Sequence, residues 1–264
     1  MKKYLTLIRL SWSNGFVYRL NFLMWRVRLV LTLLTSYFLW QAVFNGRTEI
    51  FGYSQNQMLS YIMLAAVLQS VVLASRSIDL AGVINSGELS NIIIRPISNL
   101  WYWLSRDAAD KALNLIFSVV EIFLLVIVLR PPLAWPDFSH SAISLLLILP
   151  LATLLYYFIN YLFGLTGFWT NEVWAPRFLL MVVMQFLAGL MFPLDVLPQN
   201  IQNFAAWTPF PYLVYFPAQV ILGKIGDAGL VNGLAATAVW TVIFGIMVEI
   251  VWRRGLRVYG AEGR

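Results

Sequence analysis

Two carboxylates stand in stretches that are otherwise apolar. Glu121 interrupts Val-Val-Glu-Ile-Phe-Leu-Leu, and Glu249 interrupts Met-Val-Glu-Ile-Val-Trp. An ionisable group in an apolar span is costly and marks a substrate, ion or proton site unless a structural partner accounts for it. Glu121 needs a partner on another helix or a carboxyl group that keeps its proton. It serves either a substrate or proton site, or a hydrogen bond between helices. Glu249 has Arg253 one turn further on, the spacing of an i,i+4 pair near a helix end. Other polar groups lie in apolar surroundings: Gln69 and Ser70; Tyr156, Tyr157, Asn160 and Tyr161; Asn171 and Glu172; Gln185. Of these Gln69, Tyr156, Asn160 and Gln185, with Glu121, are candidates to line an amphiphile path, or else interhelical packing contacts.

Several chemistries are excluded. Cysteine is absent and His140 is the one histidine, so there is no disulfide framework, no thiolate nucleophile and no bis-histidine haem. A P-loop needs G-x-x-x-x-G-K-[ST]. The one Gly-Lys pair, Gly223-Lys224, is followed by Ile225, and Ala218 occupies the first glycine's place. There is no G-x-S-x-G elbow, no H-E-x-x-H motif and no carboxylate cluster suited to a lipid-directed enzyme. The chain is expected to be non-catalytic, with no cofactor or metal of its own.

The elements that carry these residues follow from composition. Of 264 residues, 60% are hydrophobic and 11% charged, against about 25% charged in a soluble domain. That implies an all-α membrane protein. A span needs about 20 apolar residues in helix. Six stretches qualify, near 27–44, 57–75, 112–130, 142–168, 177–193 and 230–252. No cleavable signal peptide is expected, because Arg9, Arg19, Arg26 and Arg28 interrupt the apolar run after Lys2 and Lys3. Residues 1–20 mix apolar and basic side chains at helical spacing, as an interfacial helix does. Arg26 and Arg28 are expected to snorkel to the membrane surface.

The net charge of +6 lies beside apolar runs, so it reports topology rather than nucleic acid. With the N-terminus inside, fifteen of the 18 Lys and Arg residues fall on the inner side: six at the N-terminus, four between spans two and three, one before span five and four in the tail. Arg47, Arg130 and Lys224 fall outside. Both termini are therefore expected in the cytoplasm of a multi-pass plasma (inner) membrane protein.

Two connections are unusual. The inner one, about 76–111, carries Ile78, Leu80, Ala81 and Ile84 interleaved with Asp79, Asn85 and Glu88. This predicts a short amphipathic helix ended near Gly87 and a second break at Pro96. The outer one, 194–229, is too apolar for a solvated loop and too rich in proline for a span, which predicts short helices in or on the outer leaflet. Gly229-Leu-Val-Asn-Gly233 permits close helix approach, within the subunit or beyond it.

Two strings carry a family resemblance. Ser86-Gly-Glu-Leu-Ser-Asn-Ile-Ile-Ile-Arg-Pro-Ile97 is similar to the S-G-x-L…L-x-[RK]-P-I stretch of a subgroup of uncharacterised permeases. Phe192-Pro-Leu-Asp-Val-Leu-Pro198 resembles the F-P-x-x-x-[LF]-P that follows span five. Their order and spacing resemble the membrane subunit of ABC type-2 exporters, over essentially the whole chain, read as one domain over 1–264.

The resemblance implies two permease subunits, identical or related, on two ABC ATPase subunits that carry the ATP and magnesium. It implies a coupling helix within the 76–98 loop, about Ile78–Leu89, with Ile78, Leu80, Ile84 and Leu89 as apolar anchors and Asp79 and Glu88 as charged contacts. It implies a path between the two permeases for an amphiphilic or hydrophobic substrate, in contact with membrane lipid. The brief outer segment 45–56 departs from relatives with a large external domain. The alternative is an ion-coupled secondary transporter using Glu121 and Glu249, which would favour repeated halves; none is evident.

Overall fold

The computed structural model describes residues 6–12, 19–133 and 138–260, except the side chains of 19, 21 and 138–143. Residues 6–12 are helical and residues 19–20 open the next helix; 1–5 and 13–18 of the expected interfacial helix, and the side chain of His140, lie outside the described residues. Helix α1 spans Arg19–Val43. It leads to a hairpin of β1 (Glu49–Ile50) and β2 (Tyr53–Ser54), in which Ile50 pairs with Tyr53. Its two turn residues, Phe51 and Gly52, both have positive φ, 54° and 73°, as a tight two-residue hairpin requires.

Ser54 then starts α2 (Gln55–Val72) through a reciprocal capping box with Gln57. A break follows. Beyond it lie a 3-10 turn (Ser77–Asp79), α3 (Leu80–Asn85) and α4 (Leu89–Ile93). Gly87, at φ 76°, separates the last two, and Pro96 precedes the next helix, so both expected breaks are present. Helix α5 spans Asn99–Leu129 and stops at Arg130 in the left-handed region, ahead of Pro131 and Pro132. Helix α6 covers Phe138–Leu165 and runs into a 3-10 turn at Thr166–Phe168.

The second half continues with α7 (Trp174–Leu187), a 3-10 turn (Leu194–Val196), α8 (Gln199–Ala206), a 3-10 turn (Phe210–Tyr212), α9 (Tyr215–Ile221) and α10 (Asp227–Leu256). The fold is all-α apart from the hairpin. Short helices do fill the outer connection. Gly233 of α10 lies so close to Phe216 of α9 that a Cβ there would stand 2.1 Å from its ring. The Gly229–Gly233 motif therefore packs within the subunit.

Four described helical stretches are long and apolar enough to cross a bilayer: Phe22–Val43, Asn99–Leu129, Ser144–Phe168 and Asp227–Leu256. A fifth arises if α2 and the segment Ser77–Asn85 form one span bent by 43°. The stretch expected as the fifth span is α7, of 14 residues. At 1.5 Å per residue it covers about 21 Å, short of the ~30 Å hydrocarbon core.

The largest departure from expectation lies between spans two and three. The region 76–111 is not a long loop. Helix α5 starts at Asn99, 13 residues before the expected 112. Hydropathy conceals this beginning because Arg106, Asp107, Asp110 and Lys111 look like loop residues. They are helical because tertiary partners satisfy Asp107, Asp110 and Lys111. Among the described residues, two larger cores and a small cluster of Ile148, Phe216 and Val220 support the assembly. One larger core joins α1, α2, α6, α7 and α9. The other packs α3 and Leu89 against Trp103, Tyr157, Tyr161, Phe168 and Val248.

Candidate functional site

Along one face of α5 stand Asp107, Asp110, Lys111, Asn114, Ser118 and Glu121. Steps of three and four residues keep them in line on a helix. Each meets a group on α1, on α2 or in the break after α2, so the row forms a ladder.

At the foot, buried Asp107 accepts hydrogen bonds from the Arg76 backbone N–H at 2.7 Å and from Ser75 Oγ at 2.5 Å. Arg76 reaches Asp110 Oδ1 through Nε and Nη2, each at 3.0 Å. Burial opposes the charge on Arg76, but Asp110, with Asp79 and Asp107 behind it, outweighs burial and raises its pKa above the ordinary value. One step up, buried Lys111 donates through Nζ to the carbonyls of Val71, Val72 and Ala74. These are the orphan acceptors that a helix end leaves, so the ammonium caps α2 where it breaks. On α6, Asn160 Nδ2 donates to Ser75 O at 3.5 Å, and the Tyr156 ring centroid lies 6.0 Å from Lys111 Nζ.

At the head stands an ion pair. Arg26 Nε donates to Glu121 Oε1 at 2.7 Å and Nη2 to Oε2 at 2.5 Å. The same guanidinium reaches Asn114 Oδ1 at 3.2 Å and Ser118 Oγ at 3.0 Å, and Ser118 shares a hydrogen bond with Ser70 of α2. The side chains of Arg26 and Glu121 are 5% and 22% exposed. Arg26 therefore does not snorkel, contrary to expectation, because a carboxylate and two further acceptors hold it between helices. Arg28 lies over the Trp25 ring at 5.0 Å. Beside the pair is a cavity of about 40 Å³, lined in part by Gln69, Ser70, Ser118 and Glu121. At ~10–15 Å³ each it has room for a few waters.

The structure thus brings Gln69 and Glu121 together and sets Tyr156 and Asn160 at the foot of the ladder. Gln185, on α7, does not line the cavity. Glu249 donates nothing and accepts from Arg253 Nε at 2.6 Å, the expected i,i+4 pair. Among the described residues, no three potential metal ligands cluster.

The segment 77–93 is clamped to the rest of the chain. Ile78, Leu80, Ile84 and Leu89 are buried, while Asp79 and Glu88 are exposed. Two glycines of α6 and its terminal turn make the seat. A Cβ on Gly164 would lie 2.6 Å from Ser77 O, and one on Gly167 would lie 2.8 Å from Ala81 Cα. The four apolar residues expected to face a partner face this chain's own core. Their side chains hold the segment in place, and the outward surface belongs to Asp79, Glu88, Ile93 and Ile94, the last 80% exposed.

On the opposite end, Asp195 of the Phe192–Pro198 string accepts from Tyr53 Oη at 2.6 Å and from Gln219 Nε2 at 3.3 Å. Burial pushes the Tyr53 hydroxyl well above its ordinary pKa, and Asp195 adds to the shift, so the phenol keeps the proton it donates. The string ties the hairpin to α9.

The model of the family described as ABC-2 family transporter protein matches residues 30–263. The chain belongs to the ABC-2 transporter family. No curated protein matches it. As an ABC-2 member it is a multi-pass permease subunit of an ABC transporter, and membership implies association with ABC ATPase subunits. Within this ABC-2 permease, Glu121 is the one ionisable member of the α5 ladder that stands in a plainly apolar run; Asp107, Asp110 and Lys111 lie among charged or polar neighbours. The signal was present: Asp107-x-x-Asp110-Lys111-x-x-Asn114-x-x-x-Ser118-x-x-Glu121 is a polar stripe at helical spacing. A span boundary drawn at 112 cut it in two.

Proposed function

We propose that the chain is the membrane half of an ATP-driven exporter of an amphiphilic or hydrophobic substrate. Two such permeases, identical or related, would enclose the path, and the 77–94 segment would dock on a separate ATPase that carries the ATP and magnesium. The observation that carries this reading is the clamp on the 77–93 segment. It is seated on glycine backbone at Gly164 and Gly167 and tied through Ser75 and Arg76 to the foot of the α5 ladder. A push on its outer surface would move α2 and α5 together, because a packed core transmits displacement rather than absorbing it. The Arg26–Glu121 pair, at the head of the same ladder, would carry that motion to α1.

With α2 crossing alone and α7 crossing with its flanking residues, beside the four long helices, the asymmetry of fifteen basic residues to three supports a cytoplasmic position for the segment and for both termini, in the plasma (inner) membrane of the cell. The ion-coupled alternative is the weaker one. Glu121 and Glu249 are each engaged by an arginine, a structural partner that accounts for a carboxylate in an apolar helix, and the sequence shows no repeated halves.

The test is co-expression with an ABC ATPase and a second permease, followed by ATPase and vesicle-transport assays. Leu80 and Ile84 are unsuited as docking probes, since charge there would unseat the segment itself. Ile94→Asp changes an exposed side chain instead. It is expected to abolish co-purification of the ATPase while the permease still folds. Transport driven by an ion gradient with no ATPase present would overturn the proposal.

A further inference from the structure

A groove of about 650 Å³ lies between α6 and α10. Leu154 and Phe158 of α6 face Val242, Ile246 and Ile250 of α10 across it, and Glu249 and Arg253 bound it toward the C-terminus. Gly245 contributes no side chain to the groove; a Cβ there would make ordinary contact with Phe158, 3.4 Å from its Cε2. From Thr241 to Arg253 the lining covers twelve helical steps, about 18 Å. One leaflet's share of the hydrocarbon core is ~15 Å. The groove is therefore as long as an acyl chain is deep.

Its polar end has a sign. Arg253 gives Nε to Glu249, and its side chain is 74% exposed. Arg257, the residue that ends α10, follows four positions on, and Arg254 is next to Arg253 in the chain; both are exposed. Arg253 is the one arginine that lines the groove, and with Arg254 and Arg257 just beyond it the end of α10 carries three guanidinium groups against the single carboxylate of Glu249. Guanidinium binds phosphate oxygens with charge-assisted, often paired hydrogen bonds.

We propose that this groove binds an anionic phospholipid. One acyl chain lies between α6 and α10, and the phosphate rests on Arg253 and Arg257. The site is independent of the ATPase and of transport, so its failure would leave the proposed function untouched.

The test uses the purified full-length permease in mild detergent, with lipid adducts counted by native mass spectrometry. The probes are phosphatidylglycerol and phosphatidylcholine with identical palmitoyl and oleoyl chains. Phosphatidylglycerol is expected to be retained about tenfold better, because both lipids offer the phosphate but phosphatidylcholine also brings a quaternary ammonium toward the guanidinium groups. Gly245→Trp should lose both lipids by filling the groove. Arg253→Gln should lose the preference and keep the acyl-chain contact. Glu249→Gln, which removes the competing carboxylate from an exposed position, should strengthen phosphatidylglycerol binding. Equal retention of the two lipids would overturn the proposal, as would full retention by Gly245→Trp. Loss of a permease dimer in Gly245→Trp, with lipid retained, would put a helix of a second permease in the groove and overturn it as well.

Discussion

Arg26 and Glu121 illustrate why a buried pair must be judged by what its removal leaves behind. Taking away one partner strands the other charge between apolar helices, which costs about 3–5 kcal/mol. Replacing both by apolar side chains of similar volume is often neutral. Arg26→Met should therefore lower the thermal midpoint in detergent strongly, and Arg26→Met with Glu121→Leu should recover most of the loss. If the single and double variants fall equally, the pair is not the unit that holds α1 to α5. Lys111→Met poses a related question at the foot of the ladder. It leaves the carbonyls of Val71, Val72 and Ala74 without their shared donor, and an unsatisfied buried polar group costs about 1–3 kcal/mol. The expected result is a destabilised α2 end, read as faster backbone hydrogen exchange in the residues before and after the break.

At the scale of elements, the clamped segment depends on close backbone approach. Gly167→Val would drive a branched side chain into Ala81, whose Cα already lies 2.8 Å from where a Cβ would stand. The seat would open. Hydrogen exchange over 77–93 should accelerate, and substrate-stimulated ATPase activity of the assembled transporter should fall, while α1, α6 and α10 keep their protection. Unchanged exchange in 77–93 would remove Gly167 from the seat. The same geometry corrects the partner-facing role expected of the apolar anchors. Their spacing in sequence is amphipathic, and an amphipathic stripe identifies a buried face without identifying which surface buries it. Only the packing of Leu80 and Ile84 against Tyr157, Tyr161 and Phe168 resolves that.

At the scale of the whole molecule, topology is open to direct measurement because the chain has no cysteine. A single cysteine at Glu88 should react with a membrane-impermeant maleimide only from the cytosolic side. One at Gln199, exposed on α8, should react only from the opposite side. Labelling of both from the same side would overturn the orientation drawn from the basic residues.

Much of this protein was written in one dimension. Apolar stretches of sufficient length imply membrane helices, because lipid offers no partner for a bare backbone. Gly87, Pro96 and the prolines of 194–229 mark breaks through local stereochemistry alone. The Glu249–Arg253 pair is legible for the same reason: both partners sit on one helix, one turn apart. Tertiary structure decided the rest. Whether α5 begins at Asn99 or 112 depends on partners for Asp107, Asp110 and Lys111 that lie 31 to 40 residues away in sequence. Whether Arg26 turns to the surface or inward depends on Glu121, 95 residues on. A charge in a membrane chain is stable only with its partner, and hydropathy, which scores residues singly, contains no term for the partner.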